Sequence, residues 1–317
     1  MPTSNLPKIV QTISSEAARD ETLQTMVKAM DYKKNFRAFV EGAWDIIEPG
    51  TPYNHNWHID YLTEEVLKLF PNEMKPLYPE ADWDKIQAET TRRQIINVPT
   101  RSMKTLLVSV LLPTWLVLHK PTLKIATISY SDLLATEINN KRRMIISSDW
   151  YQKHFSDIVR IDKGSNRQDR IEFESRGVMF STSIAGTLTG MGADVIILDD
   201  PQKPGSMGSP AEREKAINFF RDTLPTRLND RNTGIIINIQ QRLHFEDLSG
   251  YIMKNIPGYE VIKIPLSIEQ DMTFVGPLTG TVWEMKEGDV LWESRMDRTS
   301  VEMLRAEPGG RNFEAQQ

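Results

Sequence analysis

The chain has 317 residues, of which 39% are hydrophobic and 26% charged, enough to bury one large core or one core with an appendage. Its longest apolar run, 106–118, is broken by Ser109, Pro113 and Thr114, which excludes a membrane-spanning helix there, and residues 1–20 lack the basic and apolar regions of a secretory signal. The absence of cysteine excludes disulfides and thiolate metal sites, the histidines at 55, 58, 119, 154 and 244 lack H-x-x-x-H spacing, and a net charge of −5 argues against passive wrapping of nucleic acid, so any DNA contact is expected to be local.

The first sixty residues read as helices over 16–30 and 34–47, where apolar residues recur at helical spacing, and they end in the Pro/Gly/Asn-rich loop EPGTPYNHNWHID. A further helix is predicted over 61–70. Short β-rich runs then alternate with amphipathic segments, the pattern of a parallel sheet flanked by helices. The predicted strands are 94–98, 124–129, 170–174, 178–183, 195–198 and 234–239, and the predicted helices 104–119, 131–147, 210–224 and 245–255. After residue 259 the pattern weakens to a strand over 261–266, a Gly/Pro-rich stretch and a short helix near 299–305. No internal repeat is apparent.

Three strand ends carry chemistry. In INVPTRSMKTLLVSVLL a β-rich run passes into a loop with Pro99, Thr100, Arg101, Ser102, Met103, Lys104 and Thr105, and then directly into an apolar helix. A phosphate-binding loop needs backbone N–H groups at a helix start, a lysine for the β and γ oxygens, and a hydroxyl for magnesium. Lys104 and Thr105 meet the last two requirements. No glycine occurs in the loop, and Met103 stands where one is expected before the lysine. Taken alone, the segment is also compatible with a solvated lysine at a helix start.

DVIILDDP is an apolar run ending in Asp199 and Asp200, at the edge of a parallel sheet where ligands bind. The first acid of such a pair can hold magnesium and the second can polarise the attacking water. The alternative is a helix cap followed by a first-turn acid. GIIINIQQRLHFEDLSG repeats the form, with Gln240, Gln241 and Arg242 at the strand end. A glutamine there can sense a γ-phosphate, or it can satisfy loop backbone groups. Upstream, Tyr53, Trp57 and His58 form an aromatic cluster suited either to stacking a base or to packing the N-terminal helices against the sheet.

The series P-x-R-x-x-K-T, TGMGADVIILDDP, LPTRLN and IQQRLHFEDL resembles the ATPase domain of tailed-phage terminase large subunits. The upstream segment FRAFVEGAWDIIEPGTPYNHNWHID resembles the part that helps hold adenine there, so the likeness runs from about Phe36 to Gln317. It implies an α/β fold of the P-loop NTPase (RecA-like, ASCE) class. A mostly parallel sheet would be flanked by helices, with a helical segment at 1–60, an ATPase core at 61–258 and a small lid or linker at 259–317.

The resemblance further implies ATP and Mg2+ as cofactors, with Lys104 on the β and γ phosphates, Thr105 and Asp199 on the metal, and Asp200 in place of the usual catalytic glutamate. Arg101 would contact phosphate or a neighbouring subunit, and Gln240 or Gln241 would couple hydrolysis to movement. Relatives often carry T-G-R-G before the paired acids, where this chain has Thr189, Gly190, Met191 and Gly192. Methionine cannot act as an arginine finger, so Arg101, Arg142, Arg143, Arg227 and Arg242 stand as candidates for that role.

The implied activity is ATP hydrolysis that drives packaging of double-stranded viral DNA into a procapsid. The partners would be the portal protein, the terminase small subunit and further copies in a ring, in the cytoplasm of an infected bacterium and transiently on the procapsid. Two alternatives are a helicase-like P-loop ATPase, for which 259–317 is too short to supply a second motor domain, and a nucleotide-gated binding module without efficient turnover. Terminase large subunits usually continue into a metal-dependent nuclease domain. MLRAEPGGRNFEAQQ resembles the handover to it, with Gly309 and Gly310 as a hinge, and no DNA cleavage is expected from this chain.

Overall fold

The structure is a computed structural model, and it describes residues 6–306 apart from 166, 187–189 and 191, with side chains from residue 20 onward. Met191, Thr189, Gly309 and Gly310 lie outside the described residues.

Helices α1 (Leu6–Lys34) and α2 (Phe36–Ile47) are separated at Asn35, whose side chain accepts from the Ala38 N–H and starts the second helix. Phe36, Phe39, Val40, Ala43, Trp44 and Ile47 put one face of α2 into the core. The chain continues through α3 (Trp57–Leu67) and two short helices that the sequence pattern did not reveal, α4 (Pro71–Met74) and α5 (Trp83–Glu89). β1 (Arg93–Asn97) then leads into the lysine-bearing loop.

The helix after that loop opens as a wide turn over Thr105–Leu111, where the Leu112 N–H reaches back to the Leu107 carbonyl, and it tightens into α6 (Leu112–Leu116). Pro113 has no N–H for the Ser109 carbonyl four residues earlier, and Nε of the buried Arg142 donates to that carbonyl at 2.7 Å instead. The remaining elements are β2 (Lys124–Ser129), α7 (Asp132–Ser147), α8 (Asp149–Phe155), β3 (Arg170–Glu172), β4 (Val178–Ser183), β5 (Val195–Asp199), α9 (Pro210–Asn218), β6 (Ile235–Gln240), α10 (Leu248–Asn255), β7 (Glu260–Lys263), β8 (Met272–Val275), β9 (Val282–Met285) and α11 (Arg298–Ala306).

Seven strands form one sheet in the order β3-β4-β2-β5-β6-β1-β7, and all pair in parallel except β3. Side chains alternate between its faces. Ile197, Ile237 and Ile239 join the core formed with α1–α3 and the helices after the lysine loop, whereas Ile95, Ile196, Leu198 and Ile236 join a second core with Phe220, Leu224, Leu248 and Ile252. Burial on both faces explains why these strands read as continuous apolar runs rather than alternating ones. The fold is therefore the predicted α/β type with a mostly parallel sheet, and β6 stands between the lysine-loop strand β1 and the acid-pair strand β5.

The sheet reaches past residue 258, because β7 pairs with β1. The β8–β9 hairpin, which the sequence pattern also left unmarked, is fastened to α3: the N–H groups of Leu278 and Thr279 donate to Glu64 at 2.8 and 3.0 Å.

Candidate active site

Parallel pairing brings the carboxyl ends of β1, β5 and β6 side by side, with Asn97 level with Gln240 and Asp199 level with Ile239. Residues 94 positions apart in sequence thereby meet: Thr105 Oγ1 donates to Asp199 Oδ1 at 3.0 Å. Next to this contact, Lys104 Nζ lies 2.9 Å from Asp200 Oδ2. The other Asp200 oxygen accepts from the Gln241 N–H at 3.1 Å, so all three predicted strand ends converge on one spot.

Burial sets the electrostatics of the acids. Asp199 is buried, and that burial, together with the Asp200 carboxylate beside it, pushes its carboxyl up to about 6, against the pull of Ser109, Lys104 and Thr105. Its Oδ2 is buried beside the Ser109 hydroxyl but outside ordinary hydrogen-bond geometry, and both amide atoms of Gln240 are buried without a partner. A buried carboxylate with so few donors favours a cation beside it, and a hydroxyl next to a carboxylate is a hard oxygen donor set. Thr105 and Asp199 thus fit a divalent cation such as magnesium.

The loop itself departs from ordinary backbone geometry. Arg101 has φ 60° and Met103 φ 63°, and Asp200 has φ 42°, all in the left-handed region that disfavours side chains. Met103 therefore occupies the glycine position with a glycine-like backbone. Successive N–H groups in such alternating conformations form a concavity for an anion.

A cavity of about 520 Å³ opens beside the loop, lined by Thr100, Arg101, Met103, Leu106 and, from elsewhere in the chain, Trp44, Trp292 and Arg295. The aromatic side chains on its wall are not those expected from the sequence. Tyr53 packs on Trp44 at 5.1 Å between ring centres, and Trp57 lies against Phe274 at 4.8 Å. His58 is fully buried and bonded through Nε2 to the Ser102 carbonyl at 3.0 Å. In this arrangement the three pack against other side chains and do not line the cavity. Trp44 belongs to the upstream segment 36–60 that resembles the adenine-holding part, whereas no local motif marks Trp292, which is far from the loop in sequence.

Candidate arginines are also sorted by their partners. Arg142 is buried among Ser109, Thr127 and Ser181, and burial lowers its guanidinium to about 9. Arg143 donates to the carbonyls of Ser165, Arg167 and Arg170. Arg242 is paired with the fully buried Asp247, the cap of α10, at 3.0 Å. Each holds structure in this arrangement. Arg227 lies in the segment whose backbone pairs with Ala193, and Arg101 is exposed on the phosphate-loop candidate itself.

No protein-family model matches the sequence, and no curated protein matches it. Solved structures do match in fold. The large terminase of bacteriophage HK97 aligns with 84% of this chain at 17% identity and a TM-score of 0.50, and this chain spans 51% of that protein. The large terminase ATPase domain of Thermus phage P74-26 aligns with 73% of this chain and 90% of its own length, at 12% identity and a TM-score of 0.46. At such identities the HK97 likeness is one of fold: this chain is built on the same mostly parallel α/β frame.

Proposed function

We propose that this chain is the ATPase motor domain of a phage terminase large subunit, hydrolysing ATP to drive double-stranded DNA into a procapsid. The observation that carries the reading is the meeting of Lys104 and Thr105 with Asp200 and Asp199 across two strand ends, with β6 inserted between those strands. That combination of loop lysine, hydroxyl and paired acids serves phosphoanhydride hydrolysis in P-loop ATPases generally. The HK97 likeness in fold supports the narrower family.

In this reading the amides of the 98–104 loop and Lys104 receive the phosphates, and the base and ribose enter the cavity beside Trp44 and Trp292. Thr105 and Asp199 would hold magnesium, which supplies charge neutralisation of the phosphate oxygens when bound. Asp200, released from Lys104 when the lysine turns to phosphate, orients and deprotonates the attacking water. Gln240, whose amide is buried without a partner, would register the γ-phosphate. Residues 264–306 act as a lid tied to the core through β7 and through Glu64. Double-stranded DNA, the portal protein, the small subunit and neighbouring copies in a ring are the proposed partners, in the cytoplasm of the infected host.

A second reading, a nucleotide-gated module, draws on the short Asp200 side chain and its pairing with Lys104. Steady-state ATPase measured on wild type, Lys104→Ala and Asp199→Ala, alone and with portal-bearing procapsids and DNA, separates the two. Hydrolysis that requires both residues and DNA protected inside the procapsid support the motor. ATP binding without turnover under assembled conditions would replace it with the module.

A further inference from the structure

A glycine-free loop that takes left-handed backbone at two positions needs something to hold it there, since each such residue costs roughly 1–2 kcal/mol. Three of its carbonyls are each taken by a side-chain donor. Ser102 Oγ donates to the Pro99 carbonyl at 2.7 Å, Arg295 Nη1 to the Arg101 carbonyl at 3.1 Å and His58 Nε2 to the Ser102 carbonyl at 3.0 Å. The turn over residues 100–101 directs the Ser102 N–H back toward the Pro99 carbonyl, whereas among the described residues no acceptor takes the N–H groups of Thr100, Arg101 and Met103. Carbonyls are thus tied down while amides remain available, the division of labour that an anion nest requires.

The two remote donors are themselves fixed. Nδ1 of His58 accepts from Asn56 Nδ2 at 2.7 Å, which leaves the proton on Nε2 for Ser102, and the same amide donates to the Leu291 carbonyl at 2.7 Å. The Arg295 guanidinium lies 4.4 Å from the centre of the Trp292 ring, and the His58 ring meets the same indole at 5.0 Å. Trp292 therefore contacts both donors, and Asn54 Nδ2 adds a bond of 2.9 Å to Ser294 Oγ. The loop before α3, the first turn of α3 with His58, and the 291–295 segment together form a clasp on the lysine loop.

We infer that Arg295 and His58 are positioning residues for the phosphate loop, holding the Arg101 and Ser102 carbonyls away from the amides that receive a phosphate. This rests on the nucleotide reading of the site and adds a role for the C-terminal segment within it. Arg295 gates affinity rather than chemistry, because it touches the loop backbone and not the acids.

The test measures binding of a fluorescent ATP analogue with magnesium, steady-state KM and kcat, and thermal melting. Losing one charge-assisted hydrogen bond corresponds to about a tenfold rise in Kd and KM for Arg295→Ala, with kcat within about twofold and melting unchanged. Arg295→Lys, which keeps a donor, restores much of the affinity. His58→Leu weakens binding similarly and His58→Gln, which retains an N–H, recovers it. Arg295 is exposed, so its variants fold even if the buried His58→Leu does not. Unchanged affinity in Arg295→Ala, or a fall in kcat at constant KM, overturns the inference. If Lys104→Ala abolishes binding in that case, the nucleotide reading survives; a wild-type chain that binds no ATP overturns both.

Discussion

Lys104 Nζ and Asp200 Oδ2 lie 2.9 Å apart, so the lysine expected to meet phosphate and the acid expected to activate water hold each other. Nucleotide has to exchange one partner for another before the acid is free. Asp200→Asn is expected to lower kcat by about 10²–10⁴-fold, the range for loss of a general base, without weakening ATP binding, because the lysine loses a competing anion. Single-turnover hydrolysis beside equilibrium binding checks this, and a variant that hydrolyses at the wild-type rate would remove Asp200 from the chemistry.

Thr105 and Asp199 share one hydrogen bond, and the second Asp199 oxygen is buried beside the Ser109 hydroxyl. Asp199→Asn removes the negative charge but keeps the shape. Its affinity for ATP is expected to fall when magnesium is present and to stay near the wild-type value in excess chelator. Calorimetric titrations under both conditions decide the matter, and an equal effect in each would point to packing rather than metal holding.

Arg142 is a candidate finger by sequence, yet its guanidinium is buried in bonds to Ser109, Thr127 and Ser181. Arg142→Ala leaves a cavity and an unpaired Ser109 carbonyl beside Pro113. A loss of roughly 3 kcal/mol or more in unfolding free energy is expected from these combined terms. Urea unfolding measures it. A fully stable variant with depressed kcat would return Arg142 to the catalytic candidates.

His58 and His119 are both lowered by burial from 6.5 to about 4. The unfolded chain therefore binds more protons than the folded one between those values. Stability is at its full level above about pH 6.5 and falls as pH drops toward 4, by up to about 3 kcal/mol for the fully buried His58. His58→Gln cannot titrate, so its unfolding free energy should depend less steeply on pH across that window. An identical slope in wild type and variant would show that other groups govern the acid response.

Legibility followed the range over which each feature is encoded. β4 was readable to the residue at 178–183, and the strand ends at Asp199 and Gln240 within one, because an apolar run that turns polar is a pattern a few residues long. The α4 and α5 turns and the β8–β9 hairpin were not, since short elements carry too few periods and gain their stability from packing, as the hairpin does on Glu64. In the lysine loop, Met103 obscures the motif: it holds a left-handed backbone where a glycine is expected, next to carbonyls of Arg101 and Ser102 that are tied by tertiary bonds.

By itself the sequence determined the alternation of apolar strands and amphipathic helices, and with it which strand ends carry Lys104, Asp199, Asp200 and Gln240. Only the tertiary structure decided that the lysine rests on Asp200, that Tyr53, Trp57 and His58 pack rather than line the cavity, and that Arg295 grips a carbonyl 194 positions away. The physical reason is the same in each case. Strand identity depends on local side-chain periodicity, whereas contacts between strand ends and loops depend on pairing order in the sheet and on burial, which no short stretch of sequence specifies.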